Sequence, residues 1–216
     1  MPAIDHPRLV DLPLAIEGER ATLRPYAPGD GARFFAAIDE DRADLDQWMA
    51  WPATQHKTVD EAESYVRNMA GKWLTREALI MGIFSKDGQT LYGGTGFHGF
   101  DWKVPSLEIG WFLRKSARGQ GIAVEAIRLC CQLAFEHVGA NRIWGTIDVL
   151  NEASWRTAER AGFTREAHLR GECRDHHGSL RDTFVYSMLA REWLERRQTS
   201  RGAVGVNLPG SSRDPV

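Results

Sequence analysis

Arg118-Gly119-Gln120-Gly121 is the stretch of this chain best suited to hold an anion. Before it, Leu107 to Leu113 is apolar, aromatic and β-branched, interrupted by Glu108 and Gly110, and reads as a strand. After it, Ile122, Ala126, Cys130 and Ala134 form one row, with Ala123, Ile127 and Val138 beside it, at helical spacing. Gly139 follows as a helix-ending residue. The pattern is therefore a strand, a short basic loop and a helix start. Two glycines remove Cβ atoms where a ligand would approach the backbone. The first N–H groups of a helix lack intrahelical partners and carry partial positive charge, which suits a phosphate or pyrophosphate. A kinase-like P-loop would end in Gly-Lys-Ser/Thr, which is absent, and a dinucleotide fingerprint would place a third glycine where Val124 stands. What remains is Arg118-x-x-Gly121-x-Ala123, which serves an ordinary strand-to-helix turn as well as an anion site.

The flanking chain must position that loop. Met1 to Ile16 reads as an irregular lead-in, Arg20 to Tyr26 as a strand, and Ala32 to Ile38 as a short helix after the turn Pro28-Gly29-Asp30. An acidic run, Asp39 to Asp46, precedes the aromatic cluster Trp48-Met49-Ala50-Trp51-Pro52. Thr58 and Glu61 have capping-box spacing, and Val59, Ala62, Tyr65, Val66, Met69 and Trp73 give a helical face ending near Arg76. Strands are expected over Leu79 to Ser85 and Thr90 to Phe100, the second bulged or closely approached because of Gly93, Gly94, Gly96 and Gly99. A strand over Arg142 to Leu150, then a helix from an Asn151 cap to Gly162, then strands over Phe163 to Leu169 and Thr183 to Leu189 complete the body. Gly171 to Asp182 reads as a polar hairpin connection, Arg191 to Arg197 as a short basic helix, and Gln198 to Val216 as an extended, weakly packed tail. The expected division is a lead-in over 1–19, one domain over 20–197 and a tail over 198–216.

Composition narrows the function classes. The chain has 216 residues, 43% hydrophobic and 26% charged, enough for one sizeable α/β domain or two very small ones. A formal net charge of -2 gives no general attraction to nucleic acid or an anionic membrane. Three cysteines, with Cys130 and Cys131 adjacent, make neither a disulfide framework nor a metal spacing. His176-His177 with Asp175 and Glu172 has no second ligand cluster and reads as a solvated hairpin, so no metal is expected. The N-terminus lacks a basic segment followed by an apolar run, and no stretch of about 18 apolar residues occurs. A cytoplasmic setting is expected.

Taken together, the order of elements resembles the GNAT acyltransferases, and the Arg118 to Ala123 loop resembles their acetyl-CoA pyrophosphate loop. Asn151-Glu152-Ala153-Ser154 and Arg160-Ala161-Gly162-Phe163 are similar to the family's second cofactor segment. Four features are similar to its RimJ/RimL-like branch. They are the Trp48 to Pro52 cluster, Glu108-Ile109-Gly110-Trp111, Asn151-x-x-Ser154 with Gly162-Phe163, and the ending Arg181 to Met188. The resemblance spans about Arg20 to Trp193. It departs at Ala123, where many members have glycine; at a position often tyrosine, where Trp111 cannot serve as proton donor to a thiolate; and in the tail past Arg197, which has no counterpart.

The resemblance implies an α/β fold with a central, mixed, mostly antiparallel sheet of about seven strands flanked by helices, whose splayed strands 4 and 5 hold CoA. It implies transfer of an acetyl group from acetyl-CoA to a primary amine, either a protein N-terminus or a small amine. Gly119, Gln120, Gly121, Ile122 and Ala123 would hold the pyrophosphate, with Arg118 adding charge. Trp111, Phe112 and Leu113 would pair the pantetheine arm through backbone groups, with an N–H near Phe112 polarising the thioester, and Asn151 and Ser154 would contact the arm. Glu108 matches the family's strand base; its other reading is a salt bridge or edge charge. Glu172 is the rival base, and Ser154 is the candidate acid, or else a helix first-turn residue bonding the backbone. Trp48 and Trp51 read as core packing or as a substrate-pocket wall.

Two other readings stay open: a non-catalytic CoA-binding module, and transfer of a larger acyl group such as succinyl. The acidic run near the acceptor entrance is compatible with a cationic acceptor. A homodimer is expected from the resemblance and from Trp48, Trp51, Trp102 and Trp111 lying in or beside loops, where such rings mark either an interface or the chain's own pocket.

Overall fold

The computed structural model describes residues 2–49, 51–52, 54–175 and 178–202. Among them a single sheet of eight strands runs in the order β1-β2-β3-β4-β5-β6-β8-β7. The strands are β1 (Ile16–Glu17), β2 (Ala21–Pro25), β3 (Leu79–Ser85), β4 (Leu91–Asp101), β5 (Ser106–Leu113), β6 (Arg142–Asp148), β7 (Thr164–Arg174) and β8 (Leu180–Leu189). Every neighbouring pair is antiparallel except β5 and β6. The helices are α1 (Gly31–Asp39), α2 (Arg42–Asp46), α3 (Val59–Thr75), α4 (Ile122–Gln132), α5 (Glu152–Ala161) and α6 (Ala190–Gly202).

Local chemistry accounts for the helix ends. Thr58 Oγ1 accepts from the Glu61 N–H at 3.2 Å, while the Glu61 carboxylate accepts from the Lys57 N–H at 2.8 Å, one residue before the strict capping-box partner. Asn151 Oδ1 accepts from the Ser154 N–H at 3.1 Å, and Gly162 closes α5 at φ 107°. Past Gln132, α4 continues as a wider π turn over Leu133–Val138, stopped by Gly139 at φ 78°.

Two apolar layers lie on opposite faces of the sheet. Alternate β5 residues Leu107, Ile109 and Leu113 pack toward α4, with Ala126, Ile127 and Cys130. Cys130 and Cys131 are fully buried and free, and burial pushes the Cys130 thiol up to about 12 despite a Thr95 contact, so both behave as small apolar residues. The other layer joins Phe34, Ala37 and Ile38 of α1 to Ala62, Val66 and Met69 of α3, with Tyr26, Phe84 and Leu91, and Phe112 packs against it.

Several expectations need correction. The sheet has eight strands because buried Ile16, in the stretch read as lead-in, pairs with Leu23 and adds β1. Counting it, the splayed strands are the fifth and sixth. The hairpin expected from Gly171 to Asp182 is shorter, since β7 runs to Arg174 and β8 begins at Leu180 after an irregular register between Leu169 and Cys173. The terminal helix continues to Gly202, past Arg197, so the first residues of the expected tail are helical. Residues 203–216 and His176-His177 lie outside the described residues.

Candidate active site

β5 and β6 run parallel only at Ser106↔Arg142, Leu107↔Ile143 and Glu108↔Trp144. Beyond that, β5 stays with β4 as far as Leu113↔Gly93, while β6 stays with β8 as far as Asp148↔Thr183, so the two part. Gly145 marks the parting point, where an added Cβ would lie 2.9 Å from the Ile109 carbonyl oxygen. Past it, Ile109 to Leu113 face Thr146 to Asp148 across a cleft of about 880 Å³. The cleft reaches Trp48, Trp51, Glu108, Trp111, Phe112, Leu113, Arg118, Gly119, Gly121, Ile122, Ala123, Asn151 and Ser154, which sequence reasoning had singled out from separate stretches.

The ladder decides which backbone groups face the split. The Arg114 N–H donates to the Tyr92 carbonyl at 2.8 Å, and the register continues without a slip through Phe112↔Gly94 and Gly110↔Gly96. Alternation in an antiparallel pair then turns the N–H groups of Gly110 and Phe112 toward β4 and those of Trp111 and Leu113 into the split. The Phe112 N–H itself is thus committed to the sheet, and the N–H groups near it that face the split are those of Trp111 and Leu113.

At one end of the cleft stands the glycine loop. Gly119 and Gly121 have φ of 73° and 77°, left-handed values that favour glycine. A Cβ at Gly119 would meet nothing within 4 Å, so the space around the loop is open. Gln120 is not in the lining; its side chain donates to the Ser116 carbonyl at 2.7 Å and braces the loop. Arg118 lines the cleft, but its guanidinium is engaged by Asp41 at 3.1 Å and Asp44 at 2.6 Å, and its Nε donates to the Leu113 carbonyl. Lys115 lies 3.6 Å from Asp41, and Arg114 pairs with Glu40. Burial alone would raise the Glu40 carboxyl, yet the Ser116 N–H, at 2.5 Å, and Arg114 outweigh it and hold the group below its ordinary 4.5. Glu40, Asp41 and Asp44 are therefore turned on the chain's own loop.

Along the third side, Asn151, Ser154, Thr157 and Arg160 recur every three residues as one stripe of α5. The Ser154 N–H bonds Asn151, while its hydroxyl has no partner among the described residues. Sequence reasoning missed Thr157 and Arg156, also in the lining, although the stripe spacing signals the former.

The opposite end is built from side chains. Glu108, Gly110 and Phe112 alternate onto the α1–α3 face of β5, across from His98, Gly96 and Gly94 of β4. Phe34, 1% exposed, is a hub: its ring stacks on Tyr65 at 4.8 Å and Trp51 at 6.4 Å and meets Phe112 edge-on at 6.0 Å. Trp51 also meets Phe112 edge-on at 5.6 Å. Trp51, Tyr65 and Phe112 present this cluster to the cleft, joined by Trp48, Met49, Ile80 and Tyr26. Burial pushes the Tyr65 phenol up to about 12 and the Tyr26 phenol well above its ordinary value, so both stay neutral. Trp48 and Trp51 are thus cleft wall, Trp111 lines the cleft from the other face, and Trp102 stacks on Phe100 at 4.7 Å.

Glu108 lies in this half, and among the described residues none holds its carboxylate. Its cross-strand neighbour His98 sits 3.1 Å from the Glu108 carbonyl through Nδ1. Glu172, the rival base, is outside the lining, on edge strand β7, where the Thr183 hydroxyl donates to it at 3.0 Å. Among the described residues no group of three His, Cys, Asp or Glu side chains could hold a metal ion, and no helix is long and apolar enough to cross a membrane.

Comparison with known proteins bears on this arrangement. A family model described as an acetyltransferase (GNAT) domain matches residues 20–164. An uncharacterized N-acetyltransferase, YoaA, of Bacillus subtilis (strain 168) is 27% identical over 174 residues, which cover 81% of this chain and 96% of that protein. The microcin C7 self-immunity acetyltransferase MccE, solved with acetyl-CoA and AMP, is 25% identical with a TM-score of 0.74, covering 82% of this chain and 97% of that one. The ribosomal L7/L12 alpha-N-protein acetyltransferase RimL, solved with coenzyme A, has a TM-score of 0.75 at 20% identity, covering 84% of this chain and 98% of that one, a likeness of fold.

Proposed function

This chain belongs to the GNAT acetyltransferase family, and from that premise we propose that it moves the acetyl group of acetyl-CoA onto a primary amine held beside Glu108. The observation that carries the reading is the parting of β5 from β6 with a left-handed glycine loop at one end and an unpaired carboxylate at the other.

The residues present fit CoA. Unpaired N–H groups at Trp111 and Leu113 suit the amides of a pantetheine arm. The open loop, with the first N–H groups of α4, suits a pyrophosphate. Asn151 and Ser154 stand on the stripe of α5 that lines the same cleft. Bound acetyl-CoA supplies a thioester carbonyl whose carbon accepts the amine lone pair while the C–S bond breaks, yielding an amide and a thiol.

This chain's own groups do the rest. Glu108 takes a proton from the incoming ammonium, directly or through water, because only the neutral amine has a lone pair. The N–H of Trp111, turned into the split, is the donor placed to stabilise charge on the carbonyl oxygen. Ser154, whose hydroxyl is unengaged, returns a proton to the thiolate, a role the Trp111 indole cannot fill. A homodimer is part of the reading, and light scattering at micromolar concentration tests it: a mass near 24.3 kDa excludes it.

Calorimetry and mass spectrometry test the function. CoA should bind the wild-type protein, and acetyl-CoA with an amine panel should give a product heavier by one acetyl group. Gly121→Asp sets a side chain and a negative charge at a φ of 77° in the loop that lines the cleft and should abolish CoA binding with the fold intact. Unchanged CoA affinity in that variant would overturn the loop assignment.

A further inference from the structure

The acceptor half of the cleft has an uneven chemical inventory. Its floor is nearly free of side chains: a Cβ at Gly110 would meet nothing within 4 Å, and Gly96 stands directly across from it on β4. Ile80 of β3 pairs with Gly96 and closes the floor on the far side. The wall is Trp51, Tyr65 and Phe112, locked to one another through Phe34. Such a wall is preorganised, because each ring is fixed by others before any ligand arrives. Against this apolar surface stands one unengaged carboxylate, Glu108, with His98 beside it. Asp44 belongs to the loop end of the cleft, beside Arg118 at 2.6 Å.

Resting on the acetyltransferase reading, we infer that the acceptor is a primary amine carried on a ring-sized apolar body, its amine over Gly110 near Glu108 and its body against the Trp51–Tyr65–Phe112 wall. Charge in the pocket argues against the alternatives. An acceptor bearing a carboxylate would find Glu108 and ring faces, and no unpaired cation of the described residues lines this half. A polyamine would bring a second ammonium against an apolar wall, in a half of the cleft where Glu108 is the one carboxylate of the described lining residues, and burying an unpaired charge is costly. A small, unsubstituted amine would leave the wall uncovered. The glycines give the body a flat floor, and neutral Tyr65 adds a ring face without adding charge.

The test uses the full-length protein with saturating acetyl-CoA and four acceptors: phenethylamine, ethylamine, spermidine and an alanine-initiated tripeptide. Phenethylamine should exceed ethylamine in kcat/KM by at least about tenfold, the scale of burying one aromatic ring. In the CoA-bound protein it should show calorimetric binding that ethylamine lacks. Ile80→Trp fills the far side of the floor, two strands from the split, and should bring the two amines together while CoA affinity stays at the wild-type value. Tyr65→Ala removes a wall face without adding volume and should cut the phenethylamine advantage several-fold. Rates for phenethylamine and ethylamine within twofold would overturn the inference. So would spermidine or the tripeptide as the best acceptor, or an advantage untouched by both variants. These failures would leave the acetyltransferase reading standing, whereas loss of CoA binding by the wild-type protein would remove both.

Discussion

At the α4 end of the cleft, side chains are held by opposite charges; at the Glu108 end they are held by rings. Arg114, Lys115 and Arg118 each face a carboxylate from the α1–α2 corner, in partly exposed ion pairs that an incoming charge can exchange. Trp51, Tyr65 and Phe112 pack on buried Phe34, where each contact is apolar and the geometry is fixed. The first end can change partners when an anion arrives, and the second cannot rearrange without loss of packing. On the proposed reading, a cosubstrate common to many enzymes meets an adaptable, backbone-lined site. The acceptor, which distinguishes one enzyme from another, meets the rigid one.

The sharpest way to separate the two ends is Glu108→Gln. It should lower kcat/KM by about 10²–10⁴-fold, the range of general-base effects, with CoA affinity unchanged by calorimetry. Glu172→Gln, outside the cleft, should stay near wild type, and equal losses in both variants would undo the assignment. Next in size is Phe34→Ala, which removes the ring hub. Loss of so large a buried side chain costs about 3–5 kcal/mol, read from the urea midpoint, and acceptor KM should rise more than CoA affinity falls.

Asp41→Asn with Asp44→Asn probes the exchangeable end, because it frees Arg118. CoA affinity should rise by up to about fivefold, the scale of half-exposed ion pairs. A fall instead would mean that these carboxylates position the loop and do not compete for it. The smallest effect concerns acid. Glu40 is held below its ordinary 4.5, so its pairing stabilises the fold fully above that pH and is lost as pH falls through the lowered value. Glu40→Gln should therefore flatten the acid limb of stability by under about 1 kcal/mol, with little change near neutrality.

The loop end was legible in the sequence because its parts are consecutive. A strand, two glycines and a helix start sit within residues 107–138, and the Asn151 cap and Gly162 stop announce α5 on local rules alone. The acceptor end was legible only in fragments. Trp48 and Trp51 drew notice as a cluster, but Tyr65 read as a core position of α3 and Tyr26 as the end of a strand. Nothing local says that these rings converge on Phe34, since α1, α3, β2 and β5 bring them together through long-range packing. Gly94 and Gly96 did signal a closely approached strand, without showing what lay above it. The partners of Arg118 were hidden for the same reason: Asp41 and Asp44 are remote in sequence and read as a free acidic run. Which N–H beside Phe112 faces the split was not legible, because the parity of hydrogen bonding in a ladder depends on register, which composition does not carry.

The pairing of Arg118 with Asp41 and Asp44 has a consequence for selectivity among anions. The loop carries tethered counter-ions, present at the high effective concentration that attachment to one chain confers. A bare phosphate offers only charge and must compete against that intramolecular pair, so it gains little by binding. A ligand that also threads a long polar arm into the split secures further contacts along Trp111 to Leu113 and can displace the carboxylates. On the proposed reading the carboxylates would therefore act as a filter, admitting an anion according to what is attached to it and leaving the free phosphate pool outside.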